Sequence, residues 1–168
     1  MPEVRLEPLG PEHRDDVDAL IRDPLVGRFT RIPDPPPPDQ ADVMIRRYET
    51  DETREGFAAL DEAGAFVGVC MVVGLDREAQ ECELGYMTAP AARGRGVATQ
   101  MLRLLTEHAL RDLGMQRVEL RISVDNVASE RVARSNGYVC EGRLRNTYVK
   151  PGRREDTTVW SRLATDPA

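Results

Sequence analysis

The chain has 168 residues, of which 40% are hydrophobic and 31% charged, and its net charge at pH 7 is -6. This balance is typical of a soluble globular domain and excludes a disordered or fibrous chain. The negative charge makes nucleic acid a poor electrostatic partner, and no apolar run approaches the roughly 20 residues that a membrane span needs. We therefore expect one domain over residues 1–168 that binds neither nucleic acid nor a membrane.

The N-terminus lacks the basic stretch and apolar core of a secretory signal, so the sequence predicts a cytoplasmic protein. Its three cysteines, Cys70, Cys82 and Cys140, are widely separated and lie in apolar, strand-like settings. This pattern favours buried, inert thiols over a disulfide framework or metal ligands, and no metal site is expected. Only two histidines are present, both in helical patterns, which argues against a histidine-based nucleophilic triad.

The first third of the chain predicts one strand and two helices. Alternation of apolar and polar residues indicates a strand over residues 4–9, and apolar residues at helical spacing predict helices over residues 12–21 and about 39–48. The proline run at residues 33–38 cannot be helix or central strand, because proline lacks the backbone donor and fixes φ. We interpret this run as a stiff connector between the two helices.

The rest of the chain predicts six strands and two helices. The strands are expected over residues 56–60, 65–73, 81–87, 118–124, 138–148 and 157–163. One long amphipathic helix is expected over residues 95–113, ending at Gly114, and a shorter one over residues 126–135. The predicted order is one strand, two helices, three strands, a helix, a strand, a helix and two closing strands.

The segment 83–99 is the most informative part of the sequence, because a strand leads through a short loop into a glycine-rich turn and a long helix. Such a turn leaves backbone N–H groups unpaired at the positive end of the helix dipole. Gly94 and Gly96 allow close approach of a bulky anion, and Arg93 and Arg95 add positive charge. The alternative is a tight turn without a ligand. These features together fit a pyrophosphate group, and the spacing matches neither a Walker loop nor a dinucleotide fingerprint.

The pattern Arg93-x-x-Gly96-x-Ala98 resembles the acyl-CoA signature of the GNAT superfamily of acetyltransferases. The pattern Asn126-x-x-Ser129 and the closing segment 141–163 are similar to one branch, the ribosomal-protein N-terminal acetyltransferases of the RimJ/RimL type. The resemblance covers nearly the whole chain. It implies an α/β (α+β) fold with a mixed, splayed central sheet of about seven strands flanked by about four helices.

The same resemblance implies that acetyl-CoA lies in the opening between the strand ending near Met87 and the strand 118–124. The Met87 N–H would polarise the thioester carbonyl, where attack of the amine places negative charge. The residues that the resemblance implies as CoA contacts are Met87, Thr88, Arg93, Gly94, Arg95, Gly96, Val97, Ala98, Thr99, Asn126 and Ser129.

The amine must be neutral to attack, so a nearby group must accept its proton. Glu83 is the candidate, directly or through water, with Glu81 on the same strand face as the alternative, and either could instead be a solvated charge. Many members of the superfamily place a tyrosine on the last helix, but that position is Ala133 here. The resemblance therefore nominates Ser129 as hydrogen-bond donor to the leaving sulfur. Asn126 is expected to cap its helix and to contact CoA.

Arg28, Phe29 and Tyr86 are expected at the acceptor entrance, because the loop between the first two helices forms one wall of the site in this family. Another part of the rim is expected from Tyr148, Trp160 and the loop over residues 150–154. The leading hypothesis is acetyl transfer to the α-amine of a protein or peptide N-terminus. A small-molecule amine (an antibiotic, amino acid or polyamine) and a catalytically silent CoA-binding module are the alternatives, and a homodimer is left open.

Overall fold

The structure is a computed structural model that describes residues 3–150 and 152–167, so the ends of the domain expected over residues 1–168 lie outside it. Its described strands form a seven-stranded sheet. They are β1 (Val4–Pro8), β2 (Glu55–Asp61), β3 (Phe66–Asp76), β4 (Glu81–Thr88), β5 (Arg117–Ser123), β6 (Val139–Lys150) and β7 (Arg153–Leu163). Their spatial order is β1-β2-β3-β4-β5-β7-β6.

Five α-helices flank this sheet in the described residues. They are α1 (Arg14–Ile21), α2 (Pro24–Phe29), α3 (Gln40–Thr50), α4 (Val97–Glu107) and α5 (Val127–Ser135), and α4 continues into one π-helical turn over His108–Asp112. Within residues 3–150 and 152–167, no helix is long and apolar enough to cross a membrane.

The short helix α2 is absent from the sequence prediction, which gave about four helices. Its start is specified locally, because one side-chain oxygen of Asp23 accepts from the N–H groups of Leu25 (3.1 Å) and Val26 (3.2 Å). Pro24 occupies the first helical position, where its missing N–H has no intrahelical acceptor to lose. The pair Asp23-Pro24 was therefore the sequence signal that the prediction overlooked.

Helices cover both faces of the sheet and divide the core in two. One cluster lies under α4 and α5 and includes Met101, Leu105 and Ala133, and we call this side the α4/α5 face. The other lies under α1, α2 and α3 and includes Leu20 and Met44, and we call this side the α3 face. Because successive side chains of a strand point to opposite faces, β4 contributes to both clusters.

The sheet opens between its two central strands. β3 and β4 pair antiparallel as far as Gly68↔Thr88. The parallel pairing of β4 with β5, by contrast, ends at Glu83↔Glu119. Beyond that point β5 stays paired with β7, up to Ser123↔Thr157, while residues 84–88 of β4 separate from it. This confirms the mixed, splayed sheet and leaves a cleft bordered by unpaired backbone.

Several element boundaries and the burial of one cysteine differ from the sequence prediction. The hairpin of β6 and β7 is longer than expected, and α4 begins at Val97, two residues after the predicted start. Cys70 and Cys82 are buried as expected, but Cys140 is exposed, because it lies on the edge strand β6. Within the described residues, no group of histidine, cysteine or carboxylate side chains is arranged to hold a metal ion.

Candidate active site

A cavity of about 540 Å³ lies at the splay between β4 and β5. Its walls come mainly from residues 29–33 at and after the end of α2, one face of α3, the second half of β4, the second half of β5 and the start of α5. Further lining residues come from β3, β6 and β7 and from Arg54, just before β2. Most of these parts are distant in sequence. The splay therefore brings them to one cavity and makes this the candidate active site.

The glycine-rich turn precedes α4 at one end of β4. Gly94 and Gly96 both have positive φ, +72° and +79°, a region that L side chains rarely adopt. Gly96 is the N-cap residue of α4, and the first N–H groups of the helix, from Val97 to Thr99, have no intrahelical acceptor. No side chain of the described residues caps this end. Arg95 is exposed and has no ion-pair partner among the described residues. The turn thus presents free donors and one free cation.

Arg93 departs from the expected phosphate contact. Its Nε donates to the Thr88 carbonyl (3.2 Å) and its Nη2 donates to an oxygen of Asp23 (2.6 Å). This guanidinium is the main reason that the pKa of Asp23 lies below its ordinary value. Because Asp23 also caps α2, the Arg93 side chain fastens the end of β4 to α2 and is not free for a phosphate.

The direction of the Met87 amide also differs from the expectation. β3 and β4 pair without a register shift around Val69↔Met87, and two residues later the Ala89 N–H donates to β3. Since hydrogen-bonding direction alternates along an antiparallel strand, the Met87 N–H faces β3. The amides of Tyr86 and Thr88 face the cleft. The expected donor at Met87 is therefore corrected to these two neighbours, although Met87 still lines the cavity.

Three side chains meet on the α4/α5 face of the cleft. The Tyr86 hydroxyl and the Ser129 hydroxyl lie 2.7 Å apart, and either can be the donor. The Asn126 Oδ1 accepts from the Ser129 N–H (3.2 Å), which confirms the predicted helix cap. The amide nitrogen of Asn126 has no acceptor among the described residues and is free to donate to a ligand. Burial raises the pKa of Tyr86 to about 12, so the phenol keeps its proton at neutral pH. Tyr86, which was expected at the acceptor entrance, therefore lies beside Ser129.

Glu83 lies on the α3 face of β4 and lines the cavity. Burial raises its pKa, and the guanidinium of Arg121, whose Nε lies 3.7 Å from its Oε2, opposes that rise. A carboxylate with a raised pKa is a better proton acceptor than an ordinary one. Glu81 is exposed at the closed, paired end of β4 and does not line the cavity, so the geometry favours Glu83 over this alternative.

The wall after α2 is fastened across the cleft. Arg28 donates to Glu155 (3.0 Å) and Asp125 (2.7 Å), which ties α2 to β7 and to the loop after β5. The Tyr148 hydroxyl donates to the Thr30 carbonyl from β6. Arg28 therefore positions the wall with both ion pairs and does not line the cavity, contrary to the expectation that it contacts substrate.

Of the other rim residues expected from the sequence, Phe29 and Tyr148 line the cavity and Trp160 does not. Trp160 is buried, and its indole N–H donates to Thr158 on the same strand (2.9 Å).

The sequence analysis missed four arginines that line the cavity. They are Arg31, Arg47, Arg54 and Arg121. Helical spacing in α3 could have grouped Arg47 with Gln40 and Met44 on one face, but no local pattern relates these positions to Arg31 or Arg121.

Comparisons with known proteins agree with this geometry. A family model described as the acetyltransferase (GNAT) domain matches residues 3–139. An uncharacterized N-acetyltransferase of Bacillus licheniformis is 27% identical over 157 residues, 89% of this chain and 88% of that protein. The ribosomal-protein-serine acetyltransferase of Escherichia coli is 28% identical over 81 residues, 48% of this chain and 45% of that protein.

Among solved structures, the spermidine N-acetyltransferase from Vibrio cholerae in complex with CoA and spermine superimposes with a TM-score of 0.88. The match covers 96% of each chain at 17% sequence identity, which demonstrates a common fold.

Proposed function

The chain belongs to the GNAT acetyltransferase family and is an acetyl-CoA-dependent N-acetyltransferase, and we propose that its acceptor is the α-amine of a protein or peptide N-terminus. The observation that carries the proposed chemistry, transfer to an amine, is the placement of Glu83 and of the Tyr86–Ser129 pair on opposite faces of one cavity. A proton acceptor and a thiol-side donor then flank the same reacting centre. The similarity to a ribosomal-protein acetyltransferase supports a protein N-terminus as the acceptor and the RimJ/RimL-type branch as the relationship.

The residues at the splay fit the CoA moiety. Free N–H groups from Val97 to Thr99, the close approach allowed at Gly96, and the unpaired charge of Arg95 suit a pyrophosphate. The cleft-facing amides of Tyr86 and Thr88 would pair with the extended pantetheine chain as a neighbouring strand does. The free amide nitrogen of Asn126 would add a further donor.

We assign proton acceptance from the amine to one face of the cavity and hydrogen-bond donation to the leaving sulfur to the other. Acetyl-CoA supplies a thioester carbonyl that a neutral amine attacks. Glu83, with its raised pKa, would accept the proton released from the amine nitrogen. Tyr86 and Ser129 share one hydrogen bond, so whichever hydroxyl accepts in that bond keeps its own hydrogen for the leaving sulfur. A thiol with a pKa near 8.5 leaves readily, so this donor stabilises negative charge and need not transfer its proton fully.

A small-molecule amine is the second candidate. The cavity volume of about 540 Å³ lies within the range of roughly 300–1,000 Å³ found for small-ligand sites. A compact amine could therefore be enclosed without any protein context. The two candidates differ in one respect: with a peptide acceptor, the peptide residues that follow the N-terminal amine contribute to binding, whereas a small amine has no such residues.

The test is a thiol-release assay with acetyl-CoA over a panel of N-terminal peptides, amino acids and polyamines. We expect the highest kcat/KM with a peptide, and we expect it to fall when the peptide is shortened to its first residue. A small amine that is turned over faster than any peptide would favour the second candidate. Absence of turnover with every amine, together with tight acetyl-CoA binding, would contradict both.

A further inference from the structure

We propose that the preferred acceptor is a peptide N-terminus that carries carboxylates next to its amine, and that Arg31 and Arg47 bind those carboxylates. This inference rests on the proposed function, since it specifies the acceptor of the same site. Two observations support it: the excess of positive charge in the cavity, and the fact that only some of the arginines lining the cavity have carboxylate partners.

The cavity is lined by far more positive than negative charge. Four arginines line it, and Glu83 is the only carboxylate among the described lining residues. If Glu83 accepts a proton during the reaction, the lining is more positive still. An anionic partner is therefore the electrostatic complement of this cavity, although the chain as a whole has a net charge of -6.

Two of the arginines already have carboxylate partners. Arg54 donates from its Nε to Asp51 (2.9 Å). Arg121 donates from its Nε to Glu119 (2.9 Å) and lies 3.7 Å from Glu83. Both charges are thus compensated within the protein, and neither is the first choice to hold a ligand.

Arg31 and Arg47 have no such partner. Both are exposed, and neither side chain has a hydrogen bond or ion pair within residues 3–150 and 152–167. A guanidinium presents five N–H donors in a fork that matches a carboxylate. These two side chains are therefore the free anion-binding groups at this cavity.

Their positions relate them to the reacting amine. Arg47 lies on the face of α3 that lines the cavity, and Arg31 lies in the loop after α2 on the same side. The charge of Arg31 is close enough to lower the pKa of Glu83 against the effect of burial. When the α-amine of a peptide reaches Glu83, the side chains of the first few peptide residues therefore lie beside these arginines.

The same charges disfavour a polyamine. A polycation bound in this cavity would meet the guanidinium groups of Arg31 and Arg47, which have no carboxylate partner among the described residues, and like charges at close range oppose binding. The similarity in fold to a spermidine N-acetyltransferase therefore does not extend to the electrostatics that a polycation requires.

Three peptides that differ only at residues two and three provide the test. Each begins with serine, followed by two glutamates, two glutamines or two lysines, and free glutamate and spermidine complete the panel. We expect kcat/KM to fall in the order glutamate, glutamine, lysine peptide, with at least a tenfold difference between the first and last, about 1.4 kcal/mol. Raising the salt concentration should narrow this difference, because the charges are exposed.

The variant that tests the residue assignment is Arg47→Glu, and its control is Arg46→Glu. Both residues are exposed on α3 and both substitutions change the net charge equally, but Arg46 does not line the cavity. We expect Arg47→Glu to lower kcat/KM with the glutamate peptide at least fivefold and to raise it with the lysine peptide. Arg46→Glu should leave both values within about twofold.

Binding of the N-acetylated glutamate peptide, measured by calorimetry, reports on the same contact without turnover. It should weaken in Arg47→Glu and in Arg31→Glu and stay unchanged in Arg46→Glu.

The outcomes separate this inference from the proposed function. A wild-type preference for the lysine peptide or spermidine, or equal effects of Arg47→Glu and Arg46→Glu, would overturn the inference and leave acetyl transfer standing. A higher rate with free glutamate than with the glutamate peptide would support the anionic contact and overturn the peptide as its source. No turnover of any amine would overturn both.

Discussion

The two faces of the cleft differ in charge and in construction. On the α4/α5 face, Tyr86, Asn126 and Ser129 form a neutral group joined by hydrogen bonds, and Tyr86 is partly buried. On the α3 face, Glu83 and four arginines form a charged and more open wall. Hydrogen bonds gain strength where water is excluded, whereas exposed charges act at longer range and are screened by salt. The difference suggests that one face serves the thioester and the other selects the acceptor.

Of the substitutions that test this difference between the two faces, Gly96→Val is expected to have the largest effect. A β-branched residue is strained at a φ of +79°, and its side chain would occupy the space that a pyrophosphate needs. We expect the affinity for acetyl-CoA, measured by calorimetry, to fall roughly 10²–10³-fold, from a few kcal/mol of strain and lost charged hydrogen bonds.

Gly114→Val is the matched control for that variant. Gly114 has a φ of +72° and lies at the opposite end of the helix, where an added Cβ meets nothing within 4 Å. It imposes similar backbone strain without touching the turn. An equal loss of CoA affinity in both variants would assign the effect to folding and contradict the phosphate site.

A smaller effect, confined to the acceptor face, is expected from Glu83→Gln. Loss of a general base lowers kcat/KM by about 10²-fold at neutral pH, while CoA affinity should stay unchanged. In the wild type the base must be ionised, and burial raises its pKa, so activity should fall as the pH drops through a value above 4.5. That acidic limb should be absent in Glu83→Gln.

Glu81→Gln provides the control on the same strand. Because Glu81 is exposed and outside the cavity, its substitution should leave both the rate and the pH profile unchanged. If the pH–rate profile changed in Glu81→Gln and not in Glu83→Gln, Glu81 would be the base instead of Glu83.

The smallest effect is expected on the neutral face, from Tyr86→Phe and Ser129→Ala. A thiolate is a good leaving group, so loss of one donor should lower kcat only about tenfold in Tyr86→Phe and less in Ser129→Ala, with CoA affinity nearly intact. Tyr138→Phe is the control, because Tyr138 is buried on the same face and shares a hydrogen bond with Thr106 (2.7 Å). Equal rates in the two phenylalanine variants would return Tyr86 to a structural role.

The sequence predicted the elements with strong local signals and missed one with a short signal. Strand alternation and helical spacing placed all seven strands and the long helix α4, because burial of one face imposes a period that is visible in the residues. α2 was missed because six residues are too few to establish a period, although Asp23-Pro24 marked its start.

The site residues divide in the same way. Gly94, Gly96 and Asn126 were identified correctly as turn and cap residues, because each acts on backbone groups within a few positions of itself. Arg93 and Arg28 were not, since their partners, Asp23 and Glu155, lie far away in sequence. The residues next to an arginine in the sequence do not indicate which distant carboxylate it will pair with.

The sequence by itself thus determined the family, the layout of the strands and of the helices other than α2, and the glycine turn before α4, since these depend on periodicity and on the backbone freedom of particular glycines. Only the tertiary structure decided which amides of β4 face the cleft, that Tyr86 meets Ser129, and that four arginines from separate elements line one cavity with Glu83. The physical reason is the splay: β4 and β5 part after Glu83↔Glu119, and the walls of the cavity are assembled across that gap from segments with no local relationship.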